Sequence, residues 1–269
     1  MIETYIVDSF TDKPFKGNPA GVCVLKEPIP EEKMQSIAAE LGLSETAFVR
    51  KLDNENKYSI RFFSPKMEIA LCGHATLASS KILFTKQKNL TEIGFINVQH
   101  LILKIRKDGE SIVMEFPVYD TEPANAPAEM LKALGIKSAI NTEYNKETNI
   151  LLIEIEGGPY LKNLRPDYTA LYQSHTSISG VLVTAASAIA GFDFESRYFW
   201  PWSGTNEDPV TGGTHTFLAT YWSKRTGKTK LKSFQCSERS GFMDVALTED
   251  KKVHIKSTAE IIFEGTLHI

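Results

Sequence analysis

The chain has 269 residues, enough for one large domain or two of ordinary size. Hydrophobic residues make up 42% of it and charged residues 23%, a composition that argues against a disordered, collagen-like or coiled-coil protein. The 30 basic residues are balanced by 33 acidic ones, which excludes the basic field typical of non-specific nucleic-acid binders.

Neither export nor a membrane span is predicted. The N-terminus carries an acid at Glu3 and lacks the apolar core of a signal peptide. The apolar part of the longest uncharged stretch is shorter than the ~20 residues that cross a bilayer. Cys23, Cys72 and Cys236 are too few and too far apart for a disulfide framework or a tetrahedral zinc site. We therefore expect a cytoplasmic protein with free thiols and no nucleic-acid or membrane partner.

Short β-like runs dominate the first half of the chain. Asn, Asp and Gly, which tolerate the positive φ of tight hairpins, occur in the segments 53–56 and 107–110 between runs. This pattern predicts a mainly antiparallel sheet. The predicted strands are 4–7, 20–25, 46–51, 58–63, 93–98, 101–106 and 112–116.

Two helices interrupt these strands. Residues 31–41 have apolar side chains at helical spacing between Pro30 and Gly42, which predicts a surface helix. Residues 73–84 have small or apolar side chains on nearly every side, which predicts a helix enclosed by other structure.

An internal repeat points to a duplicated domain. The segment 61–65 (RFFSP) is echoed 136 residues later, at 197–201 (RYFWP), and each copy is followed by a glycine that opens a small, apolar helix, Gly73 and Gly212. The proline-rich segment 117–127 lies between the copies. We predict an N-terminal domain at 1–117 and a C-terminal domain at 118–269, with a last strand that can return to the first domain.

Both glycine-opened helices offer backbone N–H groups and a positive dipole end, a combination that binds anions such as a substrate carboxylate. The alternative is that the glycines only permit tight turns. Close by, His74 could act as a neutral hydrogen-bonding group or simply cap its helix, and Asp208 could act chemically or simply stabilise the second helix. Glu45 is either an exposed strand-end residue or a desolvated acid with a raised pKa that is suited to general acid–base work.

The sequence gives little sign of other catalytic or cofactor-binding motifs. The sequence has no G-x-S-x-G, P-loop, G-x-G-x-x-G, H-E-x-x-H or C-x-x-C signature. Cys72 stands just before Gly73 and His74, but residues so close in sequence rarely point at each other, which argues against a Cys–His nucleophile.

Taken together, six segments resemble the PhzF family of phenazine-biosynthesis-type isomerases, which have the diaminopimelate-epimerase-like fold. They extend over both halves of the chain and are long, ordered and consistently spaced. The segments are 7–11, 15–22, 43–49, 61–65, 71–78 and 206–213.

The resemblance implies an α+β fold of two pseudo-equivalent domains, each a curved antiparallel sheet around a central helix, with the active site in the cleft between them. It also implies a homodimer with no metal and no organic cofactor. A glutamate at the position of Glu45 would be the general acid–base residue, assisted by a histidine and an aspartate at the positions of His74 and Asp208. All three are present.

The epimerases with this fold use one thiol before each central helix. Cys72 occupies the first such place, but Thr211 occupies the second, and a threonine hydroxyl is far too weak an acid to replace a thiolate. The sequence thus favours a carboxylate-based isomerase over a two-thiol racemase.

The resulting hypothesis is a cofactor-independent proton shift on a small carboxylate-bearing amino or hydroxy acid. The dihydro-hydroxyanthranilate of phenazine synthesis belongs to this class. Glu45 would move the proton, and the substrate would contact Asn18, Ser44, Gly73, Thr211, Gly212 and Gly213. Two alternatives stay open: a non-catalytic interaction protein on the same fold, and a one-thiol epimerase that uses Cys72.

Overall fold

The computed structural model describes residues 1–52 and 56–269. The strands are β1 (Ile2–Ser9), β2 (Asn18–Leu25), β3 (Thr46–Lys51), β4 (Lys57–Phe63), β5 (Glu68–Ile69), β6 (Glu92–Ile96), β7 (Ile102–Asp108), β8 (Ser111–Pro117), β9 (Glu122–Pro123), β10 (Asn141–Asn145), β11 (Ile150–Glu154), β12 (Gly180–Ala186), β13 (Phe194–Phe199), β14 (Glu207–Asp208), β15 (Lys230–Gln235), β16 (Gly241–Leu247), β17 (Lys252–Ser257) and β18 (Ala259–Leu267). The helices are α1 (Glu31–Leu41), α2 (Gly73–Lys86), α3 (Ala128–Leu134), α4 (Gly158–Asn163), α5 (Tyr168–Gln173) and α6 (His215–Thr226), with a 3₁₀ turn at Pro201–Ser203.

Local sequence patterns account for most of these elements. Helix α1 has the predicted bounds, and each of the predicted strands overlaps an observed one. The predicted turn at 107–110 is the hairpin between β7 and β8, where Gly109 has a φ of 63° and Asp108 pairs with Ser111. The predicted turn at 53–56 lies largely outside the described residues. Among the described residues, no helix is both long and apolar enough to cross a bilayer.

The chain separates into two compact units. One comprises Met1–Phe116 together with His254–Ile269, and the other comprises Pro117–Val253. In the first unit, the final strand β18 pairs antiparallel with β1, and β1 pairs antiparallel with β2. The end of the chain is thus hydrogen-bonded to its beginning.

The two units share one strand order. In the first, β2 is parallel to β3, β3 is antiparallel to β4, and β4 is antiparallel to β5 but parallel to β6, which pairs antiparallel with β7. In the second, the series β11 to β16 repeats these neighbours and directions. The units are therefore two copies of one architecture. The pairs are mainly antiparallel, as predicted, and each copy also contains two parallel pairs.

The repeat also preserves an ion pair. In the first unit, Arg61 Nε and Nη2 donate to the two carboxylate oxygens of Glu68, both at 2.7 Å. In the second, Arg197 makes the same two contacts with Glu207, again at 2.7 Å. Such bidentate pairs are geometrically specific. Each ties a two-residue strand, β5 or β14, to the long strand beside it, just ahead of the loop that leads to the central helix.

A central helix is enclosed in each unit. Helix α2 packs against β1, β2, β3 and β18, and its buried residues run from His74 to Phe84 on several faces, as its composition predicts. Helix α6 packs against β15 and β16. Its start differs from the prediction: Gly212 and Gly213 form a turn, and the helix begins at His215.

Further apolar clusters complete the two cores. In the first unit, α1 buries Met34 and Ile37 against Phe48 and Phe63, whose rings meet edge to face at 5.5 Å. In the second, the cluster around α3, α4 and α5 includes Met130, Leu161 and Leu171, all fully buried.

The two equivalent arginines allow a matched stability test. Arg197 has a side chain 8% exposed and Arg61 one 26% exposed. Removing one partner of a buried ion pair leaves the other charge buried and unpaired, so we expect Arg197→Met to lower the unfolding free energy by about 3 kcal/mol. For the more exposed Arg61, we expect Arg61→Met to lower it by about 1 kcal/mol. Urea unfolding measures both. All three tryptophans lie at 200–222, so their fluorescence reports the second unit, while circular dichroism reports the whole chain. Equal losses in the two variants would contradict the burial argument.

Candidate active site

Glu45 and His74 form a buried pair in the first unit. Glu45 precedes β3, and its carbonyl accepts a hydrogen bond of 3.0 Å from the N–H of Gly21, which fixes it beside β2. His74 is the second residue of α2. Its Nε2 lies 3.1 Å from Glu45 Oε2, and the two residues are only 8% and 9% exposed. The fold thus places a carboxylate and an imidazole in contact, away from bulk water.

The charges of this pair differ from the sequence-based expectation. Burial alone would raise the pKa of Glu45, but the hydrogen bond and positive charge of His74 outweigh it and lower that pKa below its usual value. Burial likewise disfavours a charged imidazole, yet the hydrogen bond to the Cys72 sulfur and the hydrogen bond and negative charge of Glu45 raise the pKa of His74 well above its usual value. Glu45 is thus buried rather than exposed, but its pKa is lowered rather than raised, and His74 is charged rather than neutral, because each group stabilises the charge on the other.

Cys72 and Ser44 surround the imidazole. Cys72 Sγ lies 3.4 Å from Nδ1 of His74, and Ser44 Oγ lies 3.4 Å from its Nε2. The expectation that Cys72 and His74 do not face each other is therefore wrong: Cys72 is the extended residue before α2, and this geometry turns both side chains to one side. Burial raises the pKa of the Cys72 thiol, so it is protonated at neutral pH.

Glu45, Cys72 and His74 are also the group, among the described residues, whose ligand atoms could hold a metal ion, since these atoms lie within 4.8 Å of one another. An ion binds one ring nitrogen of a histidine. Here the sulfur lies nearer Nδ1, at 3.4 Å, than Nε2, at 3.8 Å, whereas the carboxylate contacts Nε2. The carboxylate and the sulfur thus make their shortest contacts with different nitrogens of the ring.

Asn18 and Gly73 are two further predicted site residues of the first unit. Gly73 is next to His74 in the chain, and Asn18 is linked to His74 by way of Ser9. Asn18 is buried and opens β2 opposite Ser9, and Ser9 Oγ donates to the carbonyl of His74 at 2.7 Å. The preceding Gly17 has a φ of 67°, and a Cβ there would lie 2.0 Å from the Ser9 carbonyl oxygen, so only glycine allows this approach. Gly73 begins α2, and the first N–H groups of a helix have no partner within it.

The remaining predicted residues lie in the second unit. Asp208 is on β14, and its carboxylate Oδ2 accepts a hydrogen bond from the hydroxyl of Thr211. Gly212 and Gly213 follow in the turn before α6, where the Gly212 carbonyl accepts from the N–H of His215 at 3.0 Å. Asp208 and Thr211 thus act as one hydrogen-bonded unit.

In a comparison with known protein families, residues 7–265 match the model of the phenazine biosynthesis-like family, PhzC-PhzF. The chain belongs to the PhzF family. A Pseudomonas aeruginosa protein named as an uncharacterized isomerase is 41% identical, with 98% of this chain and 97% of the relative covered. A phenazine biosynthesis-like domain-containing protein of Bos taurus is 39% identical, with 98% of each covered.

Solved structures agree with this membership. The PhzF family protein of Enterococcus faecalis superposes with a TM-score of 0.91 at 35% identity, covering 100% of this chain and 99% of that one. A hydroxyproline epimerase from Agrobacterium vitis, at 9% identity and a TM-score of 0.57, covers 99% of this chain and 90% of its own and shares the fold alone. The predicted family and its epimerase-like fold are confirmed.

The strand registers of this PhzF protein reveal an asymmetry that the sequence reading missed. The repeat makes Phe63 equivalent to Phe199. Thr46 pairs with Phe63 and Val181 pairs with Phe199, so Thr46 corresponds to Val181 and Glu45 corresponds to Gly180. A Cβ at Gly180 would lie 2.5 Å from the ring of Tyr198. Likewise, Glu68 pairs with Phe63 and Glu207 with Phe199, so the equivalent of Asp208 is Ile69. The candidate carboxylates therefore occupy non-equivalent places in the two copies; an alignment of the two halves of the sequence was the signal that could have shown it.

Proposed function

We propose that this PhzF family chain is a cofactor-independent isomerase that shifts a proton within a small carboxylate-bearing amino or hydroxy acid. The observation that carries the proposal is the buried contact of 3.1 Å between Glu45 and His74. Because the pKa of Glu45 is lowered, its carboxylate is ionised at neutral pH and ready to accept a proton.

In the proposed reaction, Glu45 removes a proton from an activated carbon. The C–H bond breaks, an O–H bond forms on Glu45, and the electron pair moves through an adjacent double bond. Glu45 then returns the proton to another carbon, so nothing is oxidised or reduced. A carboxylate with a lowered pKa is a weak base, which requires an activated substrate but favours rapid return of the proton.

The other candidate residues are proposed to bind the substrate. The N-terminus of α2, at Gly73 and His74, supplies N–H groups and a positive dipole end for its carboxylate. Ser44 supplies a hydroxyl in contact with His74, and Asn18 supplies an amide at the start of β2. We assign Asp208, with Thr211, Gly212 and Gly213, to the amino or hydroxyl group of the same substrate, since a carboxylate accepts hydrogen bonds from such donors.

The test is incubation in deuterium oxide with a panel of cyclic and acyclic amino and hydroxy acids, followed by NMR and mass spectrometry. We expect an isomer with a displaced double bond, or carbon-bound deuterium, from at least one unsaturated acid. A chain that binds none of the acids and changes none of them would contradict the proposal and favour the interaction-protein alternative.

Cys72→Ala separates the carboxylate mechanism from a one-thiol epimerase. The Cys72 thiol contacts His74 but has a raised pKa, so we expect proton exchange to stay within about tenfold of the wild type. The exchange assay above measures it, with Cys236→Ala as the control because Cys236 is also a buried free thiol. Loss of all exchange in Cys72→Ala, but not in the control, would assign the proton transfer to sulfur.

A further inference from the structure

Gln235 is a buried polar residue that the proposed mechanism does not use. It is the last residue of β15, it is fully buried, and its backbone pairs with Ser196 on one side and Gly241 on the other. A side-chain amide without access to water has to find its hydrogen bonds within the protein. The position of this amide is therefore fixed by the sheet.

Both ends of the Gln235 amide contact the loop 208–211. Its Oε1 accepts from the N–H of Thr211 at 2.9 Å, and its Nε2 donates to the carbonyl of Asp208 at 2.7 Å. These are the two residues whose side chains are hydrogen-bonded to each other. Gln235 thus fixes the backbone separation that the side-chain contact between Asp208 and Thr211 requires.

Other side chains contact the same loop at different backbone groups. Ser237 donates to the carbonyl of Pro209. Burial lowers the pKa of His215 to about 4, so the ring is neutral, and its Nδ1 donates to the carbonyl of Thr211 at 3.2 Å. Neither contact reaches the carbonyl of Asp208 or the N–H of Thr211, so Gln235 adds a restraint at both ends of the loop that these two groups do not supply.

The first unit has an equivalent arrangement. Ser196 pairs with Gln235, and Ile60 is the residue of the first unit equivalent to Ser196. Its neighbour Ser59 pairs with Ile96, so Asn97, one position beyond β6, is the equivalent of Gln235. Asn97 is buried, and its Nδ2 donates to the carbonyl of Ala70 at 2.9 Å, in the loop that leads to Cys72 and His74. Both copies thus have a buried amide that donates to a carbonyl of the loop before the central helix, but the oxygen of Asn97 accepts from the N–H groups of Gln99 and Leu101 instead of from that loop.

We propose that Gln235 is a positioning residue for the reaction: it holds the loop 208–211 so that the carboxylate of Asp208 meets the substrate in one orientation. This inference rests on the proposed function. It assigns to Gln235 no contact with the substrate, only control of a residue that makes one.

Gln235→Met tests the proposal, because it removes both hydrogen bonds while keeping the length of the side chain. We expect kcat/KM for proton exchange to fall about 10- to 100-fold, mostly through KM, and the amide of Thr211 to exchange with deuterium faster. The matched control is Asn145→Leu: Asn145 is a buried amide in the same unit that bridges the Asp120 carbonyl at 2.8 Å and the Thr148 N–H at 2.9 Å. We expect its kcat/KM to change less than about twofold.

A double-mutant cycle with Asp208→Asn decides between positioning and general destabilisation. If Gln235 acts through Asp208, adding Gln235→Met to Asp208→Asn causes little further loss. A wild type that turns over, combined with fully additive losses or an unaffected Gln235→Met, overturns the Gln235 proposal alone. A wild type that exchanges no proton with any compound overturns the proposed function, and this proposal with it.

Discussion

Replacing Glu45 by glutamine is expected to abolish turnover while leaving the fold intact. The amide has the shape of the carboxylate and still offers an oxygen to Nε2 of His74, which contacts Oε2 at 3.1 Å in the wild type. It cannot, however, accept a proton from carbon. Because general acid–base catalysis is typically worth 10²- to 10⁴-fold, we expect kcat to fall by about 10³-fold. Proton exchange in deuterium oxide measures the rate, and thermal unfolding measures the fold.

The matched control is Glu115→Gln. Glu115 is a partly buried glutamate of the same unit that contacts Lys104 at 3.6 Å and His254 at 3.5 Å. Since it is outside the candidate site, we expect its rate to stay within about twofold of the wild type. Wild-type rates in Glu45→Gln would remove Glu45 from the proton-transfer step, whatever the control shows.

Replacing His74 by glutamine is expected to shift the acid limb of the pH–rate profile upward. Glu45 accepts a proton only when it is ionised, so kcat/KM falls as the pH drops through the pKa of Glu45. In the wild type this pKa is below its usual value, because the hydrogen bond and charge of His74 outweigh burial. Glutamine keeps a donor but carries no charge, so burial then dominates and raises the pKa. The loss of an adjacent opposite charge typically moves a carboxyl pKa by about 1–3 units. We therefore expect the midpoint of the acid limb to move to higher pH by that amount.

The profile is measured from the rate of proton exchange between about pH 4 and about pH 9, a range that covers the ordinary pKa values of Glu and His. His254→Gln is the control: His254 also contacts a glutamate in the first unit, Glu115 at 3.5 Å, and should leave the acid limb in place. An unchanged acid limb in His74→Gln would show that His74 does not set the ionisation of Glu45.

The site residues were predictable to different degrees. Glu45, His74 and Asp208 are predicted from the resemblance of their segments to the PhzF family, whereas the residues by themselves leave a purely structural role open for each. The contact between Glu45 and His74 joins residues on different elements, so no local spacing indicates it. Gln235 was not found at all, since a single glutamine at the end of a strand carries no signal until its hydrogen-bond partners are known.

The sequence by itself determined the bounds of α1, the positions of the first strands, the enclosed character of α2, the internal repeat and the family. These depend on neighbours along the chain, because helix and strand periodicities and turn residues act over a few positions. Only the tertiary structure decided which strands pair in parallel, where α6 begins and that Cys72 faces His74. It also decided the charges of Glu45 and His74: a pKa is set by burial and by the groups within a few ångströms, and in this protein those groups come from distant parts of the chain.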